Sequence, residues 1–226
     1  MSYAPSTFHA GTGEDFFTSL GLLGGSTGMV PLISAGGGDN FPTPDDSYGT
    51  AASVSGNVLK WGTTSANSWQ GYDLTGGPYT KLLSVVYTHQ STSQFQYLIH
   101  GKVAVDPANV MSCDDLYVGI NSPATSKSYI YKNTATIATE LDADASIWVG
   151  TPAVPLPSDR VYGYALYTSY IGVVGSQRLF LKAGATSQWF QILSTADTDT
   201  QEFQSVTLWT LAKSQRSITP FYVWGA

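Results

Sequence analysis

The chain has very little cysteine. Cys113 is its one cysteine, which excludes an internal disulfide framework and a four-cysteine zinc site. We therefore expect synthesis in a reducing compartment, with stability that needs no covalent cross-links. No run of 18 or more apolar residues exists, so we expect no membrane span. The first 17 residues have neither a basic region nor a continuous apolar stretch, so we expect no signal peptide.

Charge is the second shortage. Charged residues make up 12% of the 226 residues, about half of the roughly 25% usual for soluble domains. The net charge of −6 and the pI near 4.8 argue against nucleic-acid binding, which needs basic clusters to neutralise phosphates. With three Glu and seven Lys, the best helix formers of a protein surface are scarce. Helix is therefore disfavoured, and we expect no nucleic-acid or membrane partner.

Strand-forming residues are abundant instead. The last fifty residues contain four apolar runs separated by polar or glycine-containing turns, namely QRLFLKAG, SQWFQIL, FQSVTLWTL and ITPFYVWGA. Successive side chains of a strand point to opposite faces, and in the last run both faces are largely apolar. This predicts a strand that is buried on two sides or packed against another subunit. Pro220 within that run cannot donate to a ladder, so it predicts an edge position or a bulge.

About twelve strands are predicted in all. The upstream segments are 53–61, 81–89, 95–105, 116–120, 128–131, 136–141, 146–149 and 161–174. Short strands with turns every ~8–12 residues are typical of a sandwich or barrel, so residues 51–226 predict an all-β, jelly-roll-like two-sheet β-sandwich. Residues 1–50 are rich in Gly and Pro yet carry many large apolar residues. We interpret them as an extended N-terminal arm that docks on its own domain or on a neighbouring subunit, with a helical turn or two over 14–23.

Candidate sites for metals and catalysis are weak. His89 and His100 stand at strand ends eleven residues apart, and a hairpin would bring them together, but no carboxylate completes a metal site at a diagnostic spacing. Acidic pairs occur at 45–46, 114–115, 142–144 and 197–199. They suit tight turns better than calcium, because no EF-hand pattern follows any of them. No nucleophile elbow or phosphate-binding loop is present. We expect no metal, no cofactor and no enzymatic activity.

Aromatic residues are the strongest positive signal. Phe, Trp and Tyr make up 13% of the chain, with groups at Tyr162–Tyr170 and at Trp61, Trp69 and Tyr72. Three roles remain open for them: core packing, subunit interfaces, and platforms that stack on sugar rings. An exposed aromatic strip beside acidic residues would favour sugar binding, and an apolar arm reaching away from the domain would favour an interface.

The order of RLFLKAG, WFQIL, an Asp-rich turn, FQSVTLWTL and RSITPFYVWGA over residues 160–226 resembles the end of concanavalin-A-like jelly rolls in tailed-bacteriophage virion proteins. The arm, the low charge and the lack of disulfides are similar to capsid decoration (cement) proteins. This resemblance implies a structural protein of the virion, assembled in the host cytoplasm, that clamps the major capsid protein or other virion proteins. Proteins of this kind form homo-oligomers, often trimers. The alternative is a carbohydrate-binding, receptor-binding module of a phage tail or fibre.

The residues expected to make the interface have large apolar side chains in the arm and the last strand: Phe8, Phe16, Phe17, Leu22, Leu23, Met29, Leu32, Tyr222 and Trp224.

Overall fold

The computed structural model describes residues 20, 22, 28–35, 41–48, 53–55, 58–61, 68–90, 96–101, 116–122, 127–134, 137–144, 161–171, 174–182, 189–197, 202–210 and 216–226. Within these residues the fold is all-β, with fifteen strands and no helix. No helix in this part of the chain is long and apolar enough to cross a membrane. The predicted strand at 146–149 and most of the predicted helical turn at 14–23 lie outside the described residues.

The strands are β1 Val30–Ala35, β2 Asp46–Tyr48, β3 Ser53–Ser55, β4 Val58–Trp61, β5 Ser68–Asp73, β6 Lys81–Gln90, β7 Gln96–Gly101, β8 Leu116–Ser122, β9 Lys127–Thr134, β10 Ile137–Asp144, β11 Val161–Ile171, β12 Val174–Lys182, β13 Trp189–Asp197, β14 Ser205–Thr210 and β15 Arg216–Gly225. The eight-stranded sheet has the order β13-β12-β11-β6-β15-β4-β3, with β1 also paired to β15. The seven-stranded sheet has the order β10-β9-β8-β7-β14-β5-β2. All the strand pairs of both sheets are antiparallel, so the chain is a jelly-roll β-sandwich, as predicted.

The main core lies between the two sheets, because each strand turns one set of alternate residues inward. On β6, Leu82 and Val86 point into it, and on β14, Val206 and Leu208 do the same. Other members come from the loops and from both sheets: Ala35, Phe41, Leu59, Tyr72, Leu74, Tyr79, Leu98, Leu166, Phe203, Phe221 and Val223. Fully burying one such side chain contributes roughly 1.5–3 kcal/mol, so this layer dominates the stability of the fold.

A second apolar layer covers the other face of the eight-stranded sheet. Its sheet residues have the opposite parity to the core residues, and they are Leu83, Val85, Tyr87, Ala165, Tyr167, Phe180, Trp189, Tyr222 and Trp224. Leu20, Leu22 and Met29, which precede β1, belong to the same cluster and are at most 6% exposed. We call these three residues the N-terminal cover. The predicted burial of the last strand on both faces is therefore confirmed.

The last strand also explains Pro220. Residues 216–218 of β15 pair with β4, whereas residues 221–225 pair with β1, so two different strands share one side of β15. On its other side β15 follows β6 throughout, with a register shift between Ile218 and Phe221. Pro220 lies inside this bulge, where its missing N–H leaves no ladder bond unmade. The bulge alternative is confirmed, and the edge alternative is wrong, since β15 is an interior strand.

The described part of the predicted arm is continuous with the sandwich. β1 extends the eight-stranded sheet and β2 extends the seven-stranded sheet, although both precede the predicted domain start at residue 51. The predicted boundary therefore coincides with no break in either sheet. Residues 1–19, 21, 23–27, 36–40 and 49–50 of the predicted arm lie outside the described residues.

Candidate binding face

His100 lies in the core between the sheets and has hydroxyl partners on both ring nitrogens. Its Nε2 is 2.8 Å from the Ser84 hydroxyl of β6, and its Nδ1 is 2.8 Å from the Thr168 hydroxyl of β11. The ring also meets Phe203 edge-on, with 5.9 Å between ring centroids. Burial lowers the pKa of His100 to about 3, so the ring is neutral at physiological pH. Because all three polar residues are buried, this group joins the two sheets and reaches no substrate.

The predicted proximity of His89 and His100 is wrong. His89 belongs to β6 of the eight-stranded sheet and His100 to β7 of the seven-stranded sheet, because the connection between these strands crosses from one sheet to the other instead of forming a hairpin. Among the described residues no three His, Cys, Asp or Glu side chains come together as a metal site.

The acidic pairs have different surroundings from one another. Asp45 accepts a hydrogen bond from the backbone N–H of Asp73 at 2.7 Å, and Asp46 accepts one from Ser47. Asp45 precedes β2, and binding a backbone N–H is the role expected of it in a turn, whereas Asp46 is the first residue of β2. Asp142 and Asp144, in contrast, belong to the edge strand β10, so their assignment to a turn is wrong. Asp197 ends β13, and Asp114 and Asp115 lie outside the described residues.

The clearest grouping of aromatic residues is a row across the seven-stranded sheet. Trp69 on β5 lies opposite Trp209 on β14, and Trp209 lies opposite Tyr97 on β7. The same row continues on both sides, through Tyr48 on β2 and through Ile120 and Tyr129 on β8 and β9. We call it the aromatic row. Five of its six positions are Tyr or Trp.

The aromatic row belongs to the face of the sheet that is turned away from the core. Trp209 and Tyr97 alternate along their strands with Leu208 and Leu98, which are core residues. The next row on the same outer face pairs Thr207, Ile99, Val118, Tyr131 and Glu140 across β14, β7, β8, β9 and β10. At the β9–β10 end, the outer face therefore carries two tyrosine positions next to a glutamate position.

One part of this outer face is buried. Trp69 is 4% exposed, and Thr207 and Ile99 are 4% and 1% exposed, so the β5–β14–β7 part is covered. At the other end, Tyr129, Tyr131 and Glu140 occupy neighbouring register positions on β9 and β10. Aromatic and carboxylate positions on adjacent strands suit a ligand with an apolar face and several hydroxyl groups.

The aromatic groups chosen from sequence do not form single platforms. Trp61 lies in the eight-stranded sheet, whereas Trp69 and Tyr72 lie on opposite faces of β5 in the other sheet. Tyr72 is a core residue that donates a hydrogen bond to Gln70, and burial raises its pKa, with the Asp45 charge adding to the rise. Tyr167 is 3% exposed in the outer apolar layer. Packing therefore accounts for Tyr72 in the main core and for Tyr167 in the outer apolar layer, whereas Trp69 is buried on the outer face of the seven-stranded sheet.

Five of the nine predicted interface residues are described, and all five contact their own domain. Leu22, Met29, Tyr222 and Trp224 are buried in the outer layer of the eight-stranded sheet, and Leu32 is partly buried against the main core. The other four, Phe8, Phe16, Phe17 and Leu23, lie outside the described residues, as does Cys113. Contact of these residues with a second subunit stays a prediction.

The aromatic row was missed at the sequence level because its six positions come from six strands that are scattered along the chain. Only strand order and register bring Tyr48, Trp209 and Tyr129 into line. The signal that exists locally is the alternation of aromatic and small or aliphatic residues, as in SYIY of β9 and SVTLW of β14.

No family model matches the chain, and no curated protein matches it in sequence. Solved structures match it at the level of the fold. The CBM2 module of the evolved Dit of Lactobacillus casei BL23 phage J-1 has a TM-score of 0.56 at 7% identity, over 87% of this chain and 96% of that one. The Ca²⁺-bound exoplasmic/lumenal domain of VIP36 has a TM-score of 0.58 at 9% identity, over 87% and 90% of the two chains.

A lectin from Bauhinia forficata in complex with GalNAc has a TM-score of 0.51 at 10% identity, over 87% of this chain and 98% of the lectin. At such low identity these likenesses establish the lectin-like β-sandwich fold, and the part of the resemblance that concerned the jelly roll is confirmed. The capsid decoration part of the resemblance gains no support from these neighbours.

Proposed function

We propose that the protein is a non-catalytic carbohydrate-binding module of a phage virion, acting in receptor binding at the tail or fibre. The observation that carries this proposal is the aromatic row, which ends at Tyr129 on β9. The adjacent row on the same outer face of the seven-stranded sheet places Tyr131 and Glu140 beside it. The bound ligand would be a neutral or weakly polar saccharide lying across β8, β9 and β10.

The chemistry of a sugar ring fits this arrangement. A pyranose has an apolar face of C–H groups, which packs on an aromatic ring, and a rim of hydroxyls, which donate to a carboxylate. Adjacent strands lie about 4.8 Å apart, so residues on β9 and β10 are spaced to contact one sugar residue together. The fold supports the proposal further, because lectins and a phage carbohydrate-binding module share it.

The capsid decoration hypothesis depends on an arm that leaves its own domain. The described part of that segment favours the other hypothesis, since Leu22 and Met29 are buried on the same chain and β1 is a strand of its own sheet. None of the three neighbours above is named as a capsid protein. We therefore prefer the carbohydrate-binding proposal to the one that sequence features favoured.

A glycan array and isothermal titration test this proposal on the full chain. We expect the wild type to bind a defined set of saccharides. The double variant Tyr129→Ser/Tyr131→Ser should weaken that binding by at least about fivefold, since each lost aromatic contact costs about 0.5–1.5 kcal/mol. The control is Val30→Ala, which changes the 47% exposed residue of β1 on the other sheet and should bind normally. Equal binding by the wild type and the double variant would contradict the proposed face.

A further inference from the structure

We draw no further inference here: the strongest candidate, the side chain of Gln177 on the inner face of β12 opposite Thr168, has an oxygen without a hydrogen-bond partner among the described residues, but this side chain is 1% exposed and no ligand from solvent reaches it.

Discussion

At the scale of single residues, His100 shows how one polar side chain is accommodated in an apolar core. Its neutral ring has one donor and one acceptor nitrogen, and the hydroxyls of Ser84 and Thr168 are able to serve either role. The arrangement links β7 of one sheet with β6 and β11 of the other. Sequence identifies His100 as an ordinary strand histidine, but its partners come from positions 16 and 68 residues away, so only the fold reveals them.

His100 makes stability depend on pH in a defined window. Its pKa is about 3 in the folded chain and 6.5 as a free side chain, so between these values the unfolded state binds more protons. Stability should therefore fall as pH drops from 6.5 towards 3, by up to about 1.4 kcal/mol per pH unit, and His100 should contribute no pH dependence above that range. Urea unfolding at about pH 7 and about pH 4.5 measures this in the wild type and in His100→Gln.

His100→Gln keeps a donor and an acceptor but does not titrate, so it should be less stable at neutral pH and show a smaller loss on acidification. The carboxylates titrate in both proteins, and the difference between the two isolates the histidine. An identical pH dependence in the wild type and the variant would show that the ring is not held neutral by burial.

Gly163 on β11 is a second residue whose role is set by a distant neighbour. A Cβ at this position would lie 2.5 Å from Cη2 of Trp189, whose indole also meets Tyr87 edge-on at 5.8 Å. Gly163→Ala should therefore displace the indole and cost about 1–3 kcal/mol in urea unfolding. In a Trp189→Leu background the same alanine should cost much less, and additive costs in the double variant would rule out this contact as the reason.

At the scale of elements, the sequence predicts strands better than it predicts where they turn. Segment 53–61 appears as one strand, yet it is the hairpin β3–β4, with Ser55 opposite Val58 around Gly56-Asn57. Segment 161–174 contains all of β11 and the first residue of β12, with Ile171 opposite Val174 in the pairing of these strands. Two-residue hairpin loops that contain glycine are a local signal, and they account for both errors.

For the N-terminal cover, the sequence analysis left two docking partners open, its own domain and a neighbouring subunit. Met29 is fully buried in the outer layer, while the next residue, Val30, is 47% exposed. Met29→Ala should cost about 2–5 kcal/mol of unfolding free energy, because it leaves a cavity against the sheet. Val30→Ala is the matched control and should stay within about 0.5 kcal/mol of the wild type. Equal stability of the two variants would show that Met29 adds nothing to the packing.

At the scale of the whole molecule, the class of fold follows from composition and strand spacing, while the candidate sites do not. Low charge, few helix formers and repeated short apolar runs are properties of the chain itself, and they require a two-sheet sandwich to bury their area. The aromatic row depends on which strands become neighbours. β14 joins β5 to β7, and β12 joins β11 to β13, across long stretches of sequence. Because such pairings join distant segments, the residue pattern within any one segment does not reveal them.

The outer apolar layer gives the last prediction for the whole chain. A protein that begins at Gly28 keeps β1 and Met29 but lacks Leu20 and Leu22, so it should expose part of the surface around Tyr222 and Trp224. Large exposed apolar patches drive association, and we expect this truncated chain to unfold at lower urea and to self-associate with rising concentration in sedimentation velocity. The full-length variant Leu20→Ser/Leu22→Ser should behave in the same way, because it uncovers the same area at unchanged length. A truncated chain that is as stable as the full-length protein but has lost a defined oligomer would instead support an arm that clamps a neighbouring subunit.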